Sequence, residues 1–201
     1  MEKDTRTKLI DTATPLFADN GLAVVSVREL AQAAGANVAA VSYHFGGKEG
    51  LYHAVLEYQF EPIAAALERI KTMSTLPPVE RLSHYASLVA GVHHQRPYLL
   101  RFVHSELPSP TAAFEAVIKK YIPRIFHFLH QSLAEGVAAG DFRPGLDLGF
   151  ATISLAGILN FYFIVRPMAS QLLPINEFSD ERYVNQAFAI YLDGIRRKDN
   201  E

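Results

Sequence analysis

The sequence predicts an all-α protein of about nine helices, and three observations carry that expectation. Apolar residues recur at helical spacing along nearly the whole chain. No run of four or more residues alternates cleanly enough to argue for a strand. Proline and glycine punctuate the periodic segments, as at Pro97, Pro108, Gly140, Pro144 and Pro167.

The elements follow in order. Leu9, Ile10, Ala13, Leu16 and Phe17 form one helical stripe, and Gly21 is placed to end that helix in a left-handed turn. Pro15 lies inside it, where it removes a backbone hydrogen bond. The second helix is strongly signalled. Ser26 is the N-cap, Glu29 completes a capping box, and Val25 and Leu30 sit as a hydrophobic staple. Its buried face is Val27, Leu30, Ala31 and Ala34, and Gly35 then supplies a sharp turn. Asn37 caps a short third helix whose core side is Val38, Val41 and Phe45, stopped by Gly46 and Gly47. A fourth helix starts at Lys48 and runs towards Met73, with a kink expected at Pro62. Further helices are placed at 78–95, 97–106, 111–139, 147–166 and 179–197, with Pro123 bending the long one. The last opens on Ser179, Asp180 and Glu181 and closes on Arg196, Arg197 and Lys198, both suited to the helix dipole.

Composition bounds the function. The chain has 201 residues, a net charge of −2 and no cysteine, which excludes disulfides, thiolate metal sites and cysteine nucleophiles. The charged start "MEKDTRTKLID" lacks the apolar core of a signal peptide. The most apolar run, Leu155 to Val165, is about half a membrane span in length and meets Arg166 and Pro167. A cytoplasmic protein is expected. Residues 1–55 hold five Lys/Arg and six acids, so any nucleic-acid binding rests on a few placed donors rather than a strong field.

Helix, sharp turn, short helix over residues 26–45 reads as a helix-turn-helix. The alternative is a plain pair of packed helices with Tyr43 and His44 at the surface. On the wheel of the short helix, Ala39, Ala40 and Tyr43 oppose the core side, with Ser42 and His44 flanking. Two alanines let the backbone approach a groove floor and touch thymine methyls, and Asn37 could contact adenine. No Arg or Gln is present for the common bidentate contacts, so DNA shape and dimer spacing would supply the rest. The amides opening the fourth helix, with Lys48, make a phosphate clamp, and Arg6 and Arg28 can grip other phosphates. The DNA-facing set is Arg6, Ser26, Val27, Arg28, Asn37, Val38, Ala39, Ala40, Ser42, Tyr43, His44 and Lys48.

The stretch "TRTKLIDTATPLFADNGLAVVSVRELAQAAGANVAAVSYHFGGKEGLYHAVLE" resembles the DNA-binding domain of the TetR family of transcriptional regulators. The likeness lies in "LF…NG", "ELAQAAG", "VSYHF" and "KEGLY" in that order. It implies a homodimeric repressor, with residues 1–47 as the helix-turn-helix domain and 48–201 as a helical effector-binding and dimerisation domain. By the same likeness Tyr43, His44 and Lys48 fall at positions that commonly touch DNA. Gly47 stands where the family often has serine, and Ala39-Ala40 where a polar residue or glycine is frequent.

In the rest of the chain, aromatic stripes at helical spacing are ordinarily core. A body this aromatic could also enclose an apolar ligand, and Tyr85, Leu88, Phe102, Phe126, Phe150, Asn160 and Phe161 are the candidate lining. Asn160 is either a polar anchor or a satisfied core amide. His84, His93, His94, His104, His127 and His130 cluster in sequence, and His127 and His130 share a helix face. With no acid at the matching turn and no cysteine, no metal or cofactor is assigned. Leu155, Ile158, Leu159 and Tyr162, with Val184, Phe188, Tyr191, Leu192 and Ile195, mark two broad apolar faces. Two such helices from each subunit would form a four-helix dimer interface, unless they merely close the monomer's own core. No nucleophile–base pair, acid pair or phosphate loop is present, so no enzyme is expected. The expected function is a repressor released from a palindromic operator by a small, largely apolar ligand. The rival is the same fold controlled by a protein partner.

Overall fold

Helical periodicity becomes nine helices among the described residues of a computed structural model, which describes residues 4–73, 75–176 and 179–197, with only the backbone of Lys71. They are α1 (Thr5–Val24), α2 (Val27–Ala33), α3 (Val38–Phe45), α4 (Lys48–Thr72), α5 (Pro78–Gln95), α6 (Leu99–Glu106), α7 (Ala112–Ala139), α8 (Leu148–Ala169) and α9 (Ser179–Ile195). Those residues hold no strand, only an isolated antiparallel bridge between Phe142 and Arg196.

The expected elements appear, with adjusted ends. Gly21 leaves the helical region at φ 76° and ψ 166°, and helical turns resume to Val24. Pro167 does not end α8, which runs two residues past it, to Ala169. The closing Lys198 lies outside the described residues. α8 also enlarges the apolar run read from the sequence. The helix is 22 residues, long and apolar enough to cross a membrane by length and composition, although only 28% of that window is buried within the chain.

The chain divides into two compact units, residues 1–62 with 96–120 and residues 63–95 with 121–201. Within the first unit the helix-turn-helix is built onto the start of α4 and, through α1, onto α6. In the first unit, Phe17 meets Tyr52 edge-on at 5.0 Å, and Tyr52 meets Phe102 at 6.0 Å. All three rings are almost completely buried, so α1, α4 and α6 share one core. A polar node lies beside it. The buried Glu106 carboxyl accepts from the Tyr52 hydroxyl and from the Thr111 amide at 2.6 Å. Phe60 packs edge-on to Phe114 at 6.4 Å.

In the second unit α5, α8 and α9 pack on one another around Leu82, Leu155, Leu159 and Val184. Buried Arg81 of α5 pairs with Glu135 of α7, and that guanidinium holds the Glu135 carboxyl below its ordinary range. The segment after α7 is clasped to the end of α9, Arg143 N donating to Ile195 O at 2.9 Å. Phe142 is buried against Gly136, where a Cβ would lie 2.2 Å from the ring.

Candidate nucleic-acid interface

Local hydrogen bonding builds the reading head. Ser26 Oγ accepts from Glu29 N at 3.2 Å, capping α2 as its sequence requires. α2 ends in a left-handed glycine turn. Gly35 has φ 62°, Ala36 N donates to Ala31 O, and Gly35 N donates to Gln32 O. This paired pattern satisfies the last carbonyls of α2 and aims the chain sharply into α3. Asn37 Oδ1 accepts from Ala39 N at 2.9 Å and caps α3. The cap occupies that oxygen, so the amide nitrogen of Asn37 is the group left for a base or phosphate.

α3 is pinned by one face. Val41 is completely buried. Val38, expected on the core side, is 47% exposed: it is the first residue of a short helix, and its side chain is not enclosed by the core. Phe45 is half-buried, and the Arg6 guanidinium lies over its ring at 5.4 Å. On the outer side Tyr43 is 85% exposed, with Ala39 and Ser42 also exposed and Ala40 and His44 half-buried. The His44 ring meets Tyr43 edge-on at 5.0 Å and 81°, which restricts where the phenol points.

Two positive-φ glycines, Gly46 at 74° and Gly47 at 138°, turn the chain from α3 into α4. Leu51 N donates to Gly47 O at 3.1 Å, so the amides of Lys48, Glu49 and Gly50 precede the first helical donor. Gly50, which the sequence reading passed over, lies against the end of α3: a Cβ there would come within 1.8 Å of the Phe45 carbonyl oxygen. The start of α4 and the end of α3 are therefore neighbours. Arg28 and Ser26 are exposed and Val27 half-buried at the start of α2.

The other sequence-predicted sites are not assembled as expected. Phe102 is fully buried against Tyr52 in the first unit, whereas the remaining pocket candidates belong to the second. Phe126, Phe150 and Phe161 are 39%, 71% and 60% exposed and do not line an enclosed cavity, because their helix faces point to solvent. Tyr85 is buried and Leu88 half-buried. Asn160 is a satisfied amide, with Oδ1 2.7 Å from His93 Nε2 and Nδ2 donating to Ala156 O at 2.8 Å. An open cleft of about 380 Å³ lies between the start of α8 and the end of α9, lined among others by Arg143, Asp147, Phe150, Ile190 and Tyr191.

The dimer residues need the same correction. Leu155, Leu159 and Val184 are at most 1% exposed in the single chain, and Tyr162, Phe188, Tyr191, Leu192 and Ile195 at most 9%. Ile158 is half-buried. Ile158 apart, these side chains are spent on the subunit's own core and offer little surface to a partner. The exposed stripe of α8 is instead Phe150, Ile153, Gly157, Phe161, Ile164 and Met168, at steps of three and four. Of the histidines, His93 is buried and stacks over Phe163 at 4.2 Å, while His84, His94, His104 and His127 are exposed. His130 packs on Phe126 at 5.8 Å. Among the described residues no group of three or more His, Asp or Glu could hold a metal.

A capped helix, a left-handed glycine turn, a short helix presenting small and aromatic side chains outward, and a lysine-bearing helix start beside it define a helix-turn-helix DNA-binding head. The profile for bacterial regulatory proteins of the tetR family matches residues 9–55, and that for the tetracyclin repressor-like C-terminal domain matches residues 78–188. The chain is 29% identical, over 86% of its length and 84% of the relative's, to a probable HTH-type transcriptional regulator, YttP, of Bacillus subtilis. It is also 29% identical, over 71% of its length and 70% of the relative's, to the HTH-type transcriptional repressor KstR2 of Mycolicibacterium smegmatis. A putative fatty acid metabolism regulator of Clostridium perfringens shares the fold, with a TM-score of 0.78 at 20% identity over 95% of this chain and 100% of that one. The chain belongs to the TetR family: it is a DNA-binding transcriptional regulator and not an enzyme.

Proposed function

We propose that the chain acts in the cytoplasm as a homodimeric repressor, setting two reading heads on a pseudo-palindromic operator. The observation that carries this reading is the outer face of α3, where Tyr43 is 85% exposed on a fully capped helix beside Lys48. Ala39 and Ala40 meet the groove floor and thymine methyls, and Tyr43, His44, Ser42 and the Asn37 amide nitrogen supply polar readout. Lys48 with the first amides of α4, together with Arg6, Arg28 and Ser26, holds phosphates, while Val27 and Val38 pack at the rim of the groove. Repression is favoured by the name of the 29%-identical KstR2 relative.

Residues 1–47 serve as the DNA-binding part and 48–201 as the dimerisation and effector part. The second subunit covers the exposed stripe of α8 with Ile190 of α9. α8 is apolar on two sides, and the chain itself buries only one. A small apolar effector in the aromatic body releases the operator by binding the two states unequally. The exposure of Phe126, on α7 and outside that stripe, favours a second reading, in which a protein partner takes that role.

Selection from a random duplex pool tests the DNA reading. The expected product is a two-fold motif with half-sites one turn, roughly 34–36 Å, or a multiple apart. Absence of any enriched duplex at low ionic strength refutes it. Release of the selected duplex by long-chain acids or polycyclic apolar compounds supports the effector reading, and indifference to the whole panel supports the second.

A further inference from the structure

Among the described residues four prolines lie inside helices, and each leaves one upstream carbonyl without its helical donor. Pro62 of α4 has no amide hydrogen to give the Tyr58 carbonyl, four residues back. The structure shows what takes the place of that hydrogen. Arg96 Nε donates to Tyr58 O at 2.8 Å. The same guanidinium lies over the Tyr58 ring at 4.0 Å and donates from a terminal nitrogen to Glu61 Oε2 at 3.3 Å. Only 18% of the Arg96 side chain is exposed, so the contact is largely shielded from water.

Arg96 is also held at its own end. It follows α5 directly and precedes Pro97, and its carbonyl accepts Leu99 N at 3.1 Å in the first turn of α6. The planar guanidinium stacks on the phenol with one face while its edge carries donors to two different acceptors, a geometry lysine cannot reproduce. Tyr58 is ten residues from Lys48, about 15 Å along α4. Lys48 opens the helix whose start abuts the end of α3. A frayed carbonyl at Tyr58 would loosen the helix that carries the phosphate-directed lysine.

We infer that Arg96 is a positioning residue for DNA binding: its guanidinium stands in for the amide hydrogen that Pro62 lacks and ties the start of α6 to α4. It touches no DNA, so its removal weakens binding without changing the number of phosphate contacts.

The test is a double-mutant cycle of Arg96→Ala with Pro62→Ala, because alanine at 62 restores the backbone donor to Tyr58 O. Two readouts are taken, the unfolding midpoint and the affinity for the duplex that the wild-type chain selects from a random pool. Arg96→Ala alone is expected to weaken duplex binding about tenfold, the size of one charge-assisted hydrogen bond. In the Pro62→Ala background the same change is expected to cost less than about threefold, because the two substitutions are coupled. The salt slope stays that of the wild type throughout. An equal cost in both backgrounds, an unchanged affinity, or a reduced salt slope overturns the inference. If Arg96→Ala does not fold alone, the double variant must fold, and its failure to do so is equally fatal. The unfolding cycle needs no DNA, so the clasp is decided even if no duplex is enriched.

Discussion

Replacing Lys48 with alanine separates a phosphate contact from a structural one. The side chain stands half-buried at the first residue of α4, beside amides that precede the first helical donor. Alanine keeps those amides and favours the helix, so the head should stay folded and retain part of its grip on the phosphate. What disappears is one ammonium per head. Each phosphate neutralised contributes about 0.9 to the slope of log affinity against log salt, so a dimer with two heads should lose about 1.8. Between about 50 and 200 mM salt, a fourfold change, the gap between wild type and variant should therefore close by roughly twelvefold. Fluorescence anisotropy on the selected duplex and on a scrambled one reads this directly. The loss should be similar on both, because a phosphate carries no sequence information. Parallel salt plots for the two proteins would refute the phosphate role, as would a loss confined to the selected duplex.

Three further outcomes follow from the geometry. Tyr52→Phe removes the hydroxyl that donates to buried Glu106, a phenol whose pKa is pushed up first by burial and then by that hydrogen bond. It should cost about 1–3 kcal/mol in chemical denaturation, and a change within error would show the node to be idle. Burial holds the His93 imidazole below its ordinary value of 6.5, against the opposing pull of Asn160 and Asp180. The folded state therefore binds fewer protons than the unfolded one. The resulting stability is whole above about pH 6.5 and drains away as pH falls through the lower folded value, and His93→Gln should flatten that part of the unfolding profile. Phe161→Glu places a charge in the exposed stripe of α8. Sedimentation should show it shifted to single subunits where the wild type is a dimer, and an unchanged dimer would move the interface elsewhere.

The head was readable from sequence because its determinants are local. Ser26, Gly35, Asn37 and Gly46 each act on backbone within a few residues, and each appears in its expected role. Val38 was misplaced because a wheel treats an eight-residue helix as though both ends met the core. α8 and α9 failed differently. Periodicity finds an apolar face, but α8 has two, and nothing local says which one the chain keeps for itself. Leu155 and Leu159 point inward while Phe150 and Phe161 point outward, a choice made by α5 and α9 packing against one side. The pocket candidates share that weakness: aromatic spacing could not reveal that Phe102 closes on Tyr52. The Tyr58–Arg96 clasp joins residues 38 apart, and only Pro62 advertised that a carbonyl needed help.

The second apolar side of α8 also bears on the life of the newly made chain. A solitary subunit carries in water a 22-residue helix fit for a bilayer, with Phe150, Ile153, Phe161 and Met168 uncovered. In the proposed dimer, pairing would do more than double the reading heads. It would make the melting temperature climb with protein concentration, and a regulator present in few copies would be most vulnerable to proteases, and to stray lipid, when it is scarce.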